Sequence, residues 1–462
     1  MPDQRGFGLS SGEKARLLRR LTQSRAAAAA PEPLPPRAKR LDIDELIDPQ
    51  FARDRDLIRA TADLLALGNP FFRVHEGVAG AEAVIDGKRY INFSSYNYLG
   101  LNGEPRVVAA AIAALERFGS SASGSRIVSG ERPIHRELER GLAEIHGTED
   151  CLTFVSGHAT NVTVIGHLFG AKDLILHDAL IHNSMLEGAL LSGARRMSFP
   201  HNDVAAVDRL LGEQRAAHRH AVLLIEGHYG MDGDIPDLPG LIEVARRHRA
   251  RIMVDEAHAL GVVGARGFGL AEHFAIDTAE VDIWMGTLSK TLAGCGGYIA
   301  GKASLIEYLR FTAPGFFYSV AMPPPIAAAA LAALEIMRAE PQRVRRLNAN
   351  AARFRDALAA QGIDVGASSG KAIVPVITGA SIAAGRLADA LFRRGINVHP
   401  VLYPAVPERA SRLRFFLSSE HGAAQIDETV AAIVAESAAI GAHKVDYPAL
   451  LQRLGAHAKT QK

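Results

Sequence analysis

Three short stretches hold residue types that could do chemistry together. In GTLSK (286–290) a hydroxyl, Thr287, stands three residues before Lys290, and the run continues through small residues as TLAGCGG. In VDEAHALG (254–261) an apolar run delivers Asp255, with His258 three residues on. In VSGHATN (155–161) Ser156 and Gly157 precede a helical pattern. Each stretch follows an apolar run and so falls at the carboxyl end of a strand, where ligands sit in open α/β sheets. A helix start offers free backbone N–H groups and the positive end of a dipole, which together suit an anion. A phosphate cradle, a carboxylate and an amine are what pyridoxal 5'-phosphate requires. The amine joins its aldehyde, and a buried carboxylate keeps the ring nitrogen protonated, because a close opposite charge favours the cation. The charged ring then draws electrons from the α-carbon of a bound amino acid.

Each piece alone is weak. A single lysine is usually a surface residue, and a lone Asp-x-x-His is most often a hydrogen-bonded loop. The DEAH string could serve as the metal box of a nucleoside triphosphatase, but that chemistry needs G-x-x-x-x-G-K-[ST]. GTLSKT lacks the glycine before the lysine. The glycine-rich GVVGARGFG (261–269) is not G-x-G-x-x-G opening a βαβ unit, which argues against a dinucleotide site.

The elements that must position these residues alternate along the chain. Helical patterns over 104–118, 133–146, 158–169, 182–192, 203–217 and 238–249 are separated by apolar runs. The runs are CLTFV (151–155), DLILH (173–177), RRMSF (195–199), AVLLIEG (221–227), RIMVDEA (251–257) and DIWMGT (282–287). This predicts an α/β protein with a mostly parallel sheet covered on both faces. Upstream, 43–68 reads as helical, and AVIDGKRYIN (83–92) as a hairpin turning at Asp86-Gly87. From about 326 an Ala-rich helix leads into a smaller C-terminal α/β portion, with strands near 373–377, 396–400 and 412–418. The expected division is an extension over 1–45, an arm over 46–95, a large cofactor domain over 96–325, a small domain over 326–440 and a tail over 441–462.

With 462 residues and a formal charge of +2, the chain can bury a large core and gives no general case for nucleic acid or a membrane surface. Two cysteines, Cys151 and Cys295, make neither a disulfide framework nor a metal pair, and fit a reducing, cytoplasmic compartment. No apolar run is long enough to span a bilayer. Residues 1–40 are unlike the rest, with nine Lys/Arg against three Asp/Glu. They combine a short helical pattern (10–22) with a Pro/Ala linker (26–36). A frayed leader, a docking element for a carrier protein or synthase module, and an organelle transit peptide all remain open for this tail.

The longer motifs resemble the α-oxoamine synthase family of fold-type-I pyridoxal-phosphate enzymes. They are NFSSYNYLGL (92–101), GSRIVSG (124–130), FVSGHATN (154–161), IHNS (181–184), EGHYGMDGD (226–234), VDEAHALG, GTLSKTLAGCGG and RLRFFLS (412–418), within a likeness running from about 70 to 440. The resemblance implies a transferase of the aspartate aminotransferase-like fold, acting as a homodimer on a small amino acid and an acyl thioester of coenzyme A or a carrier protein. An aminotransferase, or a non-catalytic subunit of a synthase complex, is the alternative. It implies that Lys290 bonds the cofactor and moves the α-proton, that Asp255 partners the ring nitrogen, that His258 meets the phenolic oxygen and that His182 stacks on the ring. Ser156, Gly157, His158 and Thr287 would cradle the phosphate, joined by Ser319 from a partner subunit. Arg414, with Arg412 as the alternative, would grip the substrate carboxylate, and Tyr96 and Asn97 would line the substrate site. Gly230 stands where relatives usually carry serine, and Val320 where a second hydroxyl is frequent.

Overall fold

The structure, a computed structural model, describes residues 43–442. The expected helix over 10–22, the linker over 26–36 and the tail beyond 442 lie outside the described residues. The described residues divide into two units, 66–442 and 43–65. In the latter, Asp48 caps a helix over Pro49–Leu64 by accepting the Gln50 N–H.

The first strands of the larger unit are β1 (His75–Glu76), β2 (Glu82–Ile85) and β3 (Lys88–Asn92). β2 and β3 are the expected hairpin. Asp86 and Gly87 both have positive φ, 50° and 70°, and a two-residue turn of that hand matches the twist of its strands.

The main sheet contains β4 (Asp150–Phe154), β5 (Leu174–Asp178), β6 (Arg195–Phe199), β7 (Ala221–Glu226), β8 (Arg251–Asp255), β9 (Ile283–Thr287) and β10 (Gly297–Gly301). Its order is β4-β10-β9-β8-β7-β5-β6. All six apolar runs read from the sequence are strands in it. β10 was not foreseen. It runs antiparallel to both β4 and β9, and its sequence GYIAG follows CG and reads as a loop. Only when flanked by two strands does this run become buried throughout.

Successive residues face opposite layers, as pleating requires. Leu223, Ile225 and Val254 enter one core cluster, while Val222, Leu224 and Met253 enter the other. Helices cover both faces, so the inner parallel strands β5 and β7 are buried on both sides, while the edge strand β6 is largely exposed. Several helices begin with proline, at Pro105, Pro133 and Pro324, where the missing N–H costs nothing.

The C-terminal portion holds β11 (Ile373–Gly379), β12 (Ile396–Asn397), β13 (His399–Val401) and β14 (Ser411–Phe416). β11, β14 and β13 form an antiparallel sheet, while β12 pairs with β3 of the hairpin. The expected strand over 396–400 is thus two short pieces serving different sheets. Helices over Gln342–Ala360, Ser381–Arg393 and Ala423–Ala442 accompany these strands. No helix among the described residues is long and apolar enough to cross a membrane.

Candidate active site at the strand ends

The carboxyl ends of β4, β7, β8 and β9 bring the three stretches together. Asp255 closes β8 and is buried. Asn161, in the helix over Gly157–Leu168, donates Nδ2–H to Asp255 Oδ2 at 2.8 Å, and the Ala257 N–H donates to Oδ1 at 2.9 Å. The carboxylate therefore has a fixed orientation. Asn161 Nδ2 also lies 3.0 Å from Ser184 Oγ. The Ser184 N–H in turn donates to His182 Nδ1, the cap of the helix over Asn183–Leu191. The cap, Asn161 and Asp255 are thus one connected chain.

Lys290 lies three residues beyond β9, half-buried, with Nζ 5.6 Å from the Tyr96 ring centroid. Desolvation lowers its ammonium to about 8, opposed by the charges of Asp255 and Glu226 and assisted by Arg414. Glu226 closes β7 directly opposite Asp255 in register. Burial, and then the Asp255 charge, raise its carboxyl well above the usual range. Burial holds His182 below the ordinary imidazole value. His258 is pushed well below it by burial and by the cations of Lys290 and Arg414. His258 Nδ1 sits 2.7 Å from the hydroxyl of the buried Tyr98.

Ser156 caps the helix over Gly157–Leu168 by accepting the Ala159 N–H at 3.3 Å. That leaves the amides of Gly157 and His158 at the first positions, where helix geometry supplies no carbonyl partner. A Cβ on Gly157 would lie 2.8 Å from Thr287 Oγ1, and one on Gly297 would lie 2.7 Å from the Gly157 Cα. The small residues around Lys290 are explained by this approach: β10 starts against the helix N-terminus. Thr287 donates its hydroxyl to Gly296 O at 2.9 Å.

Arg414 and Arg412 have different surroundings. Arg412 is ion-paired with Asp232 and donates Nε–H to Ala410 O. Arg414 donates Nη1–H to Gly230 O at 2.8 Å, and its buried Nε has no partner among the described residues. Arg414 shares a hollow with Tyr96, His399, Arg73 and Phe416. Tyr96 meets Phe416 edge-on at 4.7 Å and His258 at 5.9 Å. Asn97 is buried, with Nδ2 donating to Ala79 O and Oδ1 accepting from the Leu101 and Asn102 N–H groups, so its side chain is spent on backbone groups of its own loop and of the segment before β2. His158 is exposed, its ring 6.4 Å from that of His182. Ser319 lines a separate hollow with Gly124, Val128 and Tyr318.

A profile of the aminotransferase class I and II family matches residues 88–433. The chain belongs to that family. A putative 8-amino-7-oxononanoate synthase of Gloeobacter violaceus is 41% identical over 361 residues, covering 78% of this chain and 92% of that protein. A Sphingomonas wittichii serine palmitoyltransferase structure superposes with a TM-score of 0.82 at 30% identity, over 87% of this chain and all of that one. A serine palmitoyltransferase solved with pyridoxal phosphate gives 0.81 at 31%, with the same coverage. The expected fold and the likeness to α-oxoamine synthases are borne out.

The family's pyridoxal phosphate fits the residues present. The cradle admits only glycine at 157 and 297, the Asp255 carboxylate is pre-oriented, and a lysine amine of lowered basicity feels the Asp255 charge. Sequence reasoning passed over Glu226, Asn161 and Tyr98. All three lie inside quoted motifs, but only the packing shows that Glu226 opposes Asp255, that Asn161 holds it and that Tyr98 backs His258. It also passed over Ser289, whose hydroxyl accepts the Gly296 N–H at 3.2 Å. Gly230 has a clear consequence: a Cβ there would stand 2.7 Å from His258 Nε2.

Proposed function

We propose that this chain is a pyridoxal-phosphate-dependent α-oxoamine synthase. It condenses a small amino acid (serine, alanine or glycine) with an acyl thioester, releasing carbon dioxide and free thiol and leaving an α-amino ketone. The observation that carries the reading is Lys290: an amine of lowered basicity three residues beyond β9, within the field of the fixed Asp255 carboxylate.

Pyridoxal phosphate, when bound, supplies an aldehyde for amino groups and a protonated ring that accepts electron density from the substrate α-carbon. The protein's residues do the rest. Asp255, held by Asn161 and Ala257, is acceptor-only and would keep the ring nitrogen protonated. The amides of Gly157 and His158, with the hydroxyls of Ser156, Thr287 and Ser289, would bind the phosphate. His258, kept neutral and backed by Tyr98, would hydrogen-bond the phenolic oxygen, and His182 would cover one ring face. Arg414 would hold the amino-acid carboxylate as a charge-assisted partner, using the Nε that has no acceptor among the described residues. Lys290 near neutrality can take and return the α-proton, since a base works best when its pKa lies near the working pH.

Ser319, beside the strongly exposed Tyr318 and Val128, would reach the phosphate of a second copy in a homodimer. In this reading 96–325 is the cofactor domain, 326–440 the small domain, and 1–45 an extension that could present a carrier protein. Lys290→Ala is the test. It abolishes thiol and carbon dioxide release from each amino acid offered with acyl-CoA or acyl-carrier protein, while the fold is retained. Turnover surviving this change would remove the assignment.

A further inference from the structure

Outside the residues just assigned, one half-buried charged group ties together the two loops that flank the site. His201 lies in the turn after β6. Its Nδ1 is 2.8 Å from Asp178 Oδ1 and its Nε2 is 2.8 Å from Asp234 Oδ2. With a carboxylate at each ring nitrogen, both nitrogens carry hydrogen and the ring is a cation. The two carboxylates raise it to about 10, against the effect of its own burial.

Each carboxylate anchors a different arm of the site. Asp178 closes β5. Its Oδ1 accepts the Leu180 N–H at 2.8 Å and its Oδ2 the Asn202 N–H at 2.9 Å. This fixes the turn that carries His182. Asp234 closes the loop 227–234, where its carbonyl accepts the Tyr229 N–H at 3.0 Å and lies 3.1 Å from His228 Nδ1. The other side of that loop grips the small sheet. Gly230 O receives Arg414 Nη1–H, Asp232 pairs with Arg412, and Gly233 O accepts both the N–H and the hydroxyl of Ser369. The Gly230 N–H donates to Glu226. The Tyr229 and His201 rings meet at right angles with centroids 4.5 Å apart.

We infer that His201 is a positioning residue for amino-acid recognition, a cationic strut between the His182 turn and the 227–234 loop that sets where the Arg414 guanidinium stands. The inference rests on Arg414 as the carboxylate anchor. Removing the strut's charge leaves two buried carboxylates facing each other, and they part. The loop then shifts, and with it Gly230 O and Arg414.

The experiment titrates cofactor-loaded protein with glycine, L-alanine and L-serine, and in parallel with ethanolamine, which has the amine but no carboxylate. The readout is the change in cofactor absorbance. His201→Gln weakens amino-acid binding about tenfold, as groups in one network couple, and leaves ethanolamine within about twofold. Arg414→Gln weakens the amino acids in the same selective way, and the double variant adds little to either single change. Should Arg414→Gln leave amino-acid binding intact, the carboxylate role of Arg414 and this inference fall together. Should Arg414→Gln act selectively while His201→Gln matches the parent protein or weakens both ligands alike, only this inference falls. If His201→Gln does not fold, Asp234→Asn, which keeps the shape and removes the charge, decides by the same criterion.

Discussion

Lys290 shows how burial tunes one residue. Its amine starts from an ordinary value of 10.5, and desolvation brings it to about 8 despite the favourable charges of Asp255 and Glu226. A depressed lysine is cationic below its folded value and neutral above it. Only the neutral form attacks an aldehyde. Uptake of pyridoxal phosphate by cofactor-free protein should therefore quicken about tenfold per pH unit below 8 and level off above it. Stopped-flow absorbance in buffers from pH 6 to 9.5 checks this; a profile still rising steeply past pH 9.5 would mean an unperturbed lysine. Gly230 is the counterpart, a residue defined by what it lacks. His258 is held from behind by Tyr98, so a side chain at 230 has no cheap way to displace it.

At the scale of elements, β10 matters most to the site. It fills the gap between β4 and β9, and its first residue presses on the helix that offers the phosphate amides. Ile299, in its middle, is fully buried in the cluster that also holds Leu152 and Met285. Ile299→Ala should cost about 2–5 kcal/mol of stability, the usual range for emptying such a position. Because the cavity lies under the cradle, cofactor affinity should fall as well. Urea melts with and without pyridoxal phosphate measure both, and a stability loss well under 1 kcal/mol would show that β10 is not held as described. The alternating helices and strands were legible because each apolar run is long enough to declare itself. β10 was not, because glycine and alanine carry little hydrophobic signal and its pairing is antiparallel and non-local. The 396–400 run was legible as extended, but not as two strands of different sheets, since partner choice is a property of the neighbours.

At the scale of the molecule, some large apolar side chains stay exposed. Tyr318 is 82% exposed and Val128 81% exposed, and both border the hollow that holds Ser319. Soluble chains rarely leave contiguous apolar surface uncovered, and such a patch marks an interface. Tyr318→Glu should split the proposed dimer and, by withdrawing Ser319 from the second site, weaken cofactor retention. Light scattering reports the mass and absorbance the bound cofactor; an unchanged dimer with full cofactor places the interface elsewhere.

The sequence by itself determined the reaction class and pointed to the strand ends as the candidate site. Lys290, Asp255, His258 and Ser156 sit directly after apolar runs, and strand ends are where a parallel sheet presents ligands, so local order along the chain already implied their meeting. It also determined the hairpin, because Asp86-Gly87 needs no distant contact to turn. Only the tertiary structure paired Arg412 with Asp232 and left Arg414 Nε without a partner among the described residues, opposed Glu226 to Asp255, spent the Asn97 side chain on backbone groups and set His201 between two carboxylates. Those outcomes depend on which groups from remote segments satisfy one another once water is gone. Hydrogen bonds and ion pairs across scores of residues leave no periodicity to read.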